Sequence, residues 1–267
     1  MAVKIRAEEV AAMKPQEFRE LIRKGEWTGF TLMACRNYAQ NNLAIVPRDY
    51  AFEFLLFCMR NPRPCPVIDV TEPGSPHPMT VAPTADLRTD LPRYRVFMNG
   101  KLVDEPTNVT KYWRDDLVAF LIGCSATFDW ALRAANVDFR LLGAYTSNIQ
   151  CVPAGPFRGP MVVSCRAFKT SKDAVRAVQI GSRYLVSHGP PIHIGDPSSI
   201  GIRDLTAPDQ AAINPLPAPG PDEVILTWGC GITPQTTALA AKLPILITHK
   251  GGHMFINDLL VEETANL

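Results

Sequence analysis

The stretch TWGCGITPQTTALAAKLPILITHKGGHMFIND, residues 227–258, concentrates groups that could do chemistry: Cys230 between Gly229 and Gly231, then His249, His253 and Asp258. The two histidines are four apart, as in helical zinc sites. Gly251 and Gly252 disfavour a helix there, and the glutamate of the HExxH pattern is missing, so a metalloprotease is excluded. Because histidine titrates near neutrality, His249 and His253 are candidate acid and base groups presented from a loop. Each reads equally well as a hydrogen-bonding loop residue. Cys230 reads either as a thiol nucleophile or as an inert packed cysteine, since no basic partner is identifiable from the sequence. Thr233 at an N-cap, Pro234 at the first helical position and Gln235 after it would leave backbone N–H groups free beside the Gly229–Gly231 turn. Such a start can bind a carboxylate or phosphate, or can be an ordinary cap. Arg166 and Arg183 could fork onto a substrate carboxylate or merely solvate a face.

Several elements must position these groups. Glu17, Phe18, Leu21 and Ile22 recur at helical spacing, YAFEFLLFCM (50–59) is a compact apolar helix, and Val67–Val70 is a buried strand. The proline-rich residues 73–92 lack periodicity and are expected to cross the surface. RYRVFMNGKLV places Asn99 and Gly100 at a hairpin turn, both tolerating positive φ. WRDDLVAFLIGCSATFDWALRAANV reads as two helices joined at Gly123–Ser125, opened by Asp115 and Asp116. VDFRLLG and GPMVVSCRAF read as strands, SKDAVRAVQIGSRY as a helix capped by Ser171, and PIHIG as a further strand. Residues 207–222 hold five prolines and look like a stiff return crossing. The final strand, helix and strand (Val224–Thr227, Pro234–Lys242, Ile245–Thr248) suggest a parallel βαβ unit.

The expected fold is therefore α/β: a three-layer α/β/α core from residues 1–143 and 206–267, with a small α+β subdomain, 144–205, inserted. In such a parallel sheet the turns at Thr71–Gly74, Gly229–Gly231 and His249–His253 would share one edge. No internal repeat is legible.

The chain has 267 residues, 27 basic and 26 acidic, with no basic block. Nucleic-acid binding is not expected. The start lacks a signal-like apolar run, and the longest uncharged apolar segment, Leu117–Phe128, is too short to span a bilayer, so a cytoplasmic protein without membrane partners is expected. Seven cysteines with no CxxC pair argue against a disulfide framework and a zinc ribbon. A homo-oligomer is compatible with the apolar content.

CPVIDVTEPG, WRDDLVAFLIGCS, VQIGSRY, HGPPIHIGDP, WGCGITPQ and THKGGHMFIND, in this order, resemble the D-glutamate cyclase family of hydro-lyases, over nearly the whole chain. The resemblance implies an α/β core with a small α+β domain and conversion of D-glutamate to 5-oxo-D-proline with loss of water, favoured by manganese. On that expectation Glu72 and Asp258 are candidate ligands of a divalent cation, His249 and His253 supply acid and base, and Gly229, Gly231, Thr233, Gln235, Arg166 and Arg183 hold the carboxylate substrate. Alternatives are an elimination hydro-lyase on another hydroxy acid and a non-catalytic binder of small anions.

Overall fold

The computed structural model describes residues 6–209 and 217–266. The chain runs α1 (Ala7–Ala12), α2 (Pro15–Arg23), β1 (Tyr38–Pro47), α3 (Arg48–Arg60), β2 (Val67–Val70), β3 (Tyr94–Met98), β4 (Lys101–Asp104), β5 (Leu117–Gly123), α4 (Ala126–Ala134) and β6 (Arg140–Gln150). It continues through β7 (Pro160–Phe168), α5 (Ser171–Gly181), β8 (His193–Ile194), β9 (Val224–Gly229), α6 (Thr233–Ala240), β10 (Leu246–His249) and β11 (Phe255–Leu260). Of the proline-rich return over residues 207–222, residues 210–216 lie outside the described residues.

The strands form two sheets, one ordered β2-β5-β1-β10-β3-β4 with β11 also on β1, the other β6-β7-β9-β8. Every pairing is antiparallel. This overturns the expected three-layer α/β/α core and its parallel terminal βαβ unit. The order strand, helix, strand is present, but α6 does not return the chain to its own sheet. β9 lies in the second sheet and β10 in the first, so the helix carries the chain between sheets.

The segment Leu117–Gly123 is a strand, not a helix. Val118, Phe120 and Ile122 enter a core shared by both sheets, while Leu117, Ala119 and Leu121 enter the core on the opposite face. With both faces buried the polar alternation that marks a strand disappears, and a short apolar run then fits either period. Asp115 and Asp116 consequently sit in a turn before β5. Residues 73–92 are not a surface crossing either: Val81, Ala82, Ala85, Leu87 and Leu91 are buried and cover the first sheet. The hairpin at Asn99–Gly100 forms as expected, with φ of 50° and 79°. The α5 cap is Thr170, whose hydroxyl accepts from the Asp173 N–H, one residue before the expected Ser171.

A duplication underlies this topology. β1 pairs β5 with Asn41 opposite Gly123, and β7 pairs β9 with Val163 opposite Gly229. In that alignment α3 and α5 follow equivalent strands, and β2 flanks β5 as β8 flanks β9. The Thr71 N–H donates to Ala119 O, and the equivalent Gly195 N–H to Ile225 O, each at 2.9 Å. At the helix starts Thr127 Oγ1 accepts from the Gln40 N–H at 3.0 Å and donates to the Gln40 carbonyl at 3.2 Å. Thr233 Oγ1 makes the same two bonds to Val162, each at 3.0 Å. The helices are followed by positive-φ residues, Asn136 at 54° and Lys242 at 53°. Aligned on this register, DLVAFLIGCSATFDWALRAAN and DEVILTWGCGITPQTTALAAK match at Asp116/Asp222, Val118/Val224, Gly123/Gly229, Cys124/Cys230, Thr127/Thr233, Ala134/Ala240 and Ala135/Ala241. The last strands of the two units are exchanged: β6 pairs with β7 of the second unit, and β10 with β1 of the first.

Candidate active site

A cleft of about 500 Å³ opens where the two units meet, and equivalent positions of both line it. Cys124 and Cys230 stand after the paired strand ends, Ala126 and Ile232 lead into α4 and α6, and Asn42 and Ser164 project from β1 and β7. The exchanged strands complete the wall, through Gly143 and Ala144 of β6 and His249 of β10 with Lys250 after it. A more open depression along Thr107–Lys111 holds none of the candidate groups.

His249 is 3 % exposed. At the end of β10 its ring replaces a backbone partner, and Nδ1 accepts the Leu43 N–H at 3.1 Å and a Gln235 amide proton at 2.8 Å. The same Gln235 nitrogen donates to Leu43 O at 3.0 Å, which fixes the orientation of the amide. With Nδ1 an acceptor, the neutral ring carries its proton on Nε2. That N–H has no protein partner among the described residues and remains for the cleft. Burial pushes the His249 pKa down to about 3, so the ring is neutral throughout the physiological range.

Arg166 is fully buried on β7 and forks onto Asp129 of α4, Nε to Oδ1 at 2.8 Å and Nη2 to Oδ2 at 3.0 Å. Its third nitrogen, Nη1, reaches Ser164 Oγ at 3.3 Å, and the Phe128 and Trp228 rings lie 4.9 and 5.1 Å from the guanidinium carbon. A charge this deep is held by its paired carboxylate and aromatic faces. Arg95 and Lys250 also line the cleft, and both donate to Glu105, which stands outside the lining, at 2.8 and 2.7 Å. Asp209, which accepts from the Thr146 N–H at 2.7 Å and its hydroxyl at 2.6 Å, also lines the cleft, so the lining carries both cations and carboxylates.

Both cleft thiols are raised by burial, Cys124 to about 12 and Cys230 to about 11, and the Ala126 and Ile232 N–H groups only partly offset this. The thiols are protonated at neutral pH, so Cys230 lacks the thiolate a nucleophile needs.

The other expected residues distribute differently. His253 does not line the cleft: its ring lies 5.1 Å from that of Phe30, its Nδ1 donates to Gly251 O at 2.9 Å, and partial burial lowers its pKa. Gly229 and Gly231 serve close packing. A Cβ on Gly229 would press on the Arg63 backbone, and one on Gly231 would overlap the Asn42 amide and the Gly123 carbonyl. Thr233 is the first residue of α6 rather than its cap, and its hydroxyl is spent on β7. Arg183 is exposed after α5, outside the cleft.

The expected cation ligands do not meet. After β2 the chain follows β5 toward Leu117, with the Gly74 N–H on Leu117 O, whereas the cleft lies at the Gly123 end, so the exposed Glu72 points away from it. Asp258 is bound to the buried Arg19 at 2.8 Å. The Thr71–Gly74 turn therefore separates from the other two, because an antiparallel sheet sends neighbouring strand ends to opposite edges. Among the described residues no group of three or more His, Cys, Asp and Glu side chains is arranged to hold a metal.

Sequence reasoning missed Asn42, Cys124, Ser125, Asp129 and Ser164 on the cleft wall. The repeated Gly-Cys-x-x-Thr at 123–127 and 229–233 was the available signal for Cys124 and Ser125.

The frame is thus a duplicated antiparallel α/β fold whose two units close on one polar cleft. The chain belongs to the D-glutamate cyclase family, which matches residues 118–258. Relatives bearing the name "Putative hydro-lyase" include one from Geobacillus kaustophilus, 50 % identical with 96 % of this chain and 98 % of the relative covered. One from Rubrobacter xylanophilus is 49 % identical (91 and 94 % covered), and one from Bacillus subtilis 48 % (96 and 100 %). Among solved structures a nitrogen repressor-like protein from Methanococcus jannaschii aligns at a TM-score of 0.39 and 8 % identity, covering 91 % of this chain and 97 % of the other. Among the described residues no helix is long and apolar enough to cross a membrane.

Proposed function

We propose that the cleft removes water from a small carboxylate-bearing amino acid, with D-glutamate closing to 5-oxo-D-proline as the best candidate. The observation that carries this reading is His249: a buried neutral ring whose free Nε2–H belongs to the same cleft as the Arg166–Asp129 pair. Family membership supports the reaction class, and about 500 Å³ suits a metabolite of this size.

Ring closure forms a bond from the α-amine nitrogen to the γ-carboxyl carbon and breaks a C–O bond there, releasing water. His249 donates Nε2–H to the oxygen on which negative charge grows. A neutral donor fixed in place serves that oxygen without reorganising. The ring does not act as the base, because its only acceptor nitrogen is occupied by Leu43 and Gln235. Two protons leave the substrate ammonium on closure: Asp129, with acceptor sites left after binding Arg166, takes each in turn and returns it to the departing γ-carboxyl oxygen, which leaves as water. Arg166, Lys250 and Arg95 favour the carboxylate-bearing substrate electrostatically.

Purified protein incubated with D-glutamate, with and without manganese, should yield 5-oxoproline resolved by chiral chromatography and mass spectrometry, and His249→Ala should lower kcat about 10²–10³-fold. No product under either condition ends the D-glutamate reading. Unchanged kcat in the variant removes His249 from the chemistry. Dehydration of a hydroxy acid in the same assay panel would redirect the reading to elimination.

A further inference from the structure

Asp129 and Gln235 are equivalent positions of the duplicated frame, each two residues beyond the threonine that clasps the neighbouring strand, in the first turns of α4 and α6. What stands there differs, and so does the donor each half supplies. Asp129 accepts two bonds from Arg166 and holds the guanidinium, ion-paired, at the wall. Gln235 has no charge, and its Nε2 donates to Leu43 O at 3.0 Å and to His249 Nδ1 at 2.8 Å.

The two protons of a carboxamide nitrogen are thereby both used, and that nitrogen cannot accept one. An imidazole nitrogen facing it, with the Leu43 N–H aimed at the same lone pair, must be unprotonated. We propose that Gln235 is a positioning residue for His249, holding the ring as its Nε2–H tautomer so that it meets the substrate as a hydrogen-bond donor and never as a base. The duplicated position thus sets the character of each half: a carboxylate backs a cationic donor, an amide backs a neutral one. This rests on the reading of the cleft as the site where His249 serves the reacting carboxyl. Glutamate at position 235 replaces one of the two donors to Nδ1 by an acceptor, leaving the Leu43 N–H as the one donor that opposes a proton there, and so favours Nδ1–H with Nε2 an acceptor.

Nitrogen-15 correlation spectra of the intact, histidine-labelled protein read the tautomer without reference to activity. Wild type is expected to show the His249 ring with Nε2 protonated and Nδ1 bare, unchanged from pH 5.5 to 8. Gln235→Glu should move the proton to Nδ1, bring the ring's titration into the accessible range, and lower kcat about 10²-fold while KM stays within about threefold. An Nδ1-protonated ring in wild type overturns the inference, and this measurement needs no variant to fold. So does a Gln235→Glu ring that keeps the wild-type pattern. A switched tautomer with wild-type kcat would instead confirm the lock and defeat the catalytic reading of His249, which separates the two failures.

Discussion

Thr127 and Thr233 clasp two different strands with the same pair of hydrogen bonds, one to both backbone groups of Gln40 and the other to both of Val162. Both side chains are buried, at 1 % and 0 % exposed. Replacing either by valine keeps the shape and strands a backbone N–H, while the Val162 carbonyl keeps the Cys230 N–H at 3.0 Å, a loss of about 1–3 kcal/mol. Calorimetry should show each variant melting lower, by about 2–4 °C per kcal/mol for a chain of this size. A single sensitive threonine would mean that the two clasps are not energetically alike.

Asp129→Ala leaves the Arg166 guanidinium buried without its carboxylate. Breaking one side of such a pair costs about 3–5 kcal/mol, so urea unfolding should shift strongly at neutral pH. Replacement of both residues by apolar ones is expected to recover much of that loss. A shift below about 1 kcal/mol would show water reaching the guanidinium.

The two cleft cysteines should resist alkylation near pH 7.5, because burial holds Cys124 and Cys230 at about 12 and 11. Iodoacetamide labelling followed by mass spectrometry is expected to find little modification at either residue in the folded protein, rising above about pH 10. Cys230→Ser should turn over D-glutamate within about threefold of wild type. Rapid labelling at neutral pH with loss of activity would restore a thiol mechanism.

Stability should fall in acid chiefly through two buried imidazoles, with His253, also lowered by burial, adding to them. His249 is depressed to about 3, chiefly by burial, and His188, bonded through Nδ1 to Arg63 O at 2.7 Å, to about 4 for the same reason. Unfolded histidines titrate near 6.5, so below that pH the unfolded chain binds protons the folded one refuses, and stability rises with pH across this window. It is complete above about pH 7 and lost on the way to pH 4, at about 1.4 kcal/mol per pH unit for each histidine. Urea titrations at pH 7, 6 and 5 measure the slope, and His188→Asn should flatten it by one histidine's share. Identical slopes would place His188 in contact with solvent.

Much of the local structure is legible in the sequence. The Asn99–Gly100 hairpin, the α3 helix and the β7, α5, β8 succession follow from turn chemistry and periodicity, which act over a few residues. Failures cluster where burial on both faces erases the pattern. Leu117–Gly123 looked helical for this reason, and its misreading also hid the equivalence of GCSAT with GCGIT.

The candidate site divides in the same way. Glycine, cysteine, histidine and arginine types marked residues 229–249 and Arg166 as able to serve a carboxylate, and Cys230, His249 and Arg166 do share the cleft. The sequence also favoured His253, Arg183, Glu72 and Asp258 on type and spacing alone, and none of these lines it.

By itself, then, the sequence determined which local elements and which reactive side chains exist, because propensity, turns and capping are settled between near neighbours. Only the tertiary structure decided that α4 and α6 carry the chain between two antiparallel sheets, that β6 and β10 change places, and that His249 presents Nε2–H. Those outcomes depend on Leu43, Gln235, Asp129 and Arg166 meeting from remote parts of the chain, and long-range pairing of this kind is set by how whole faces bury against each other rather than by any short pattern.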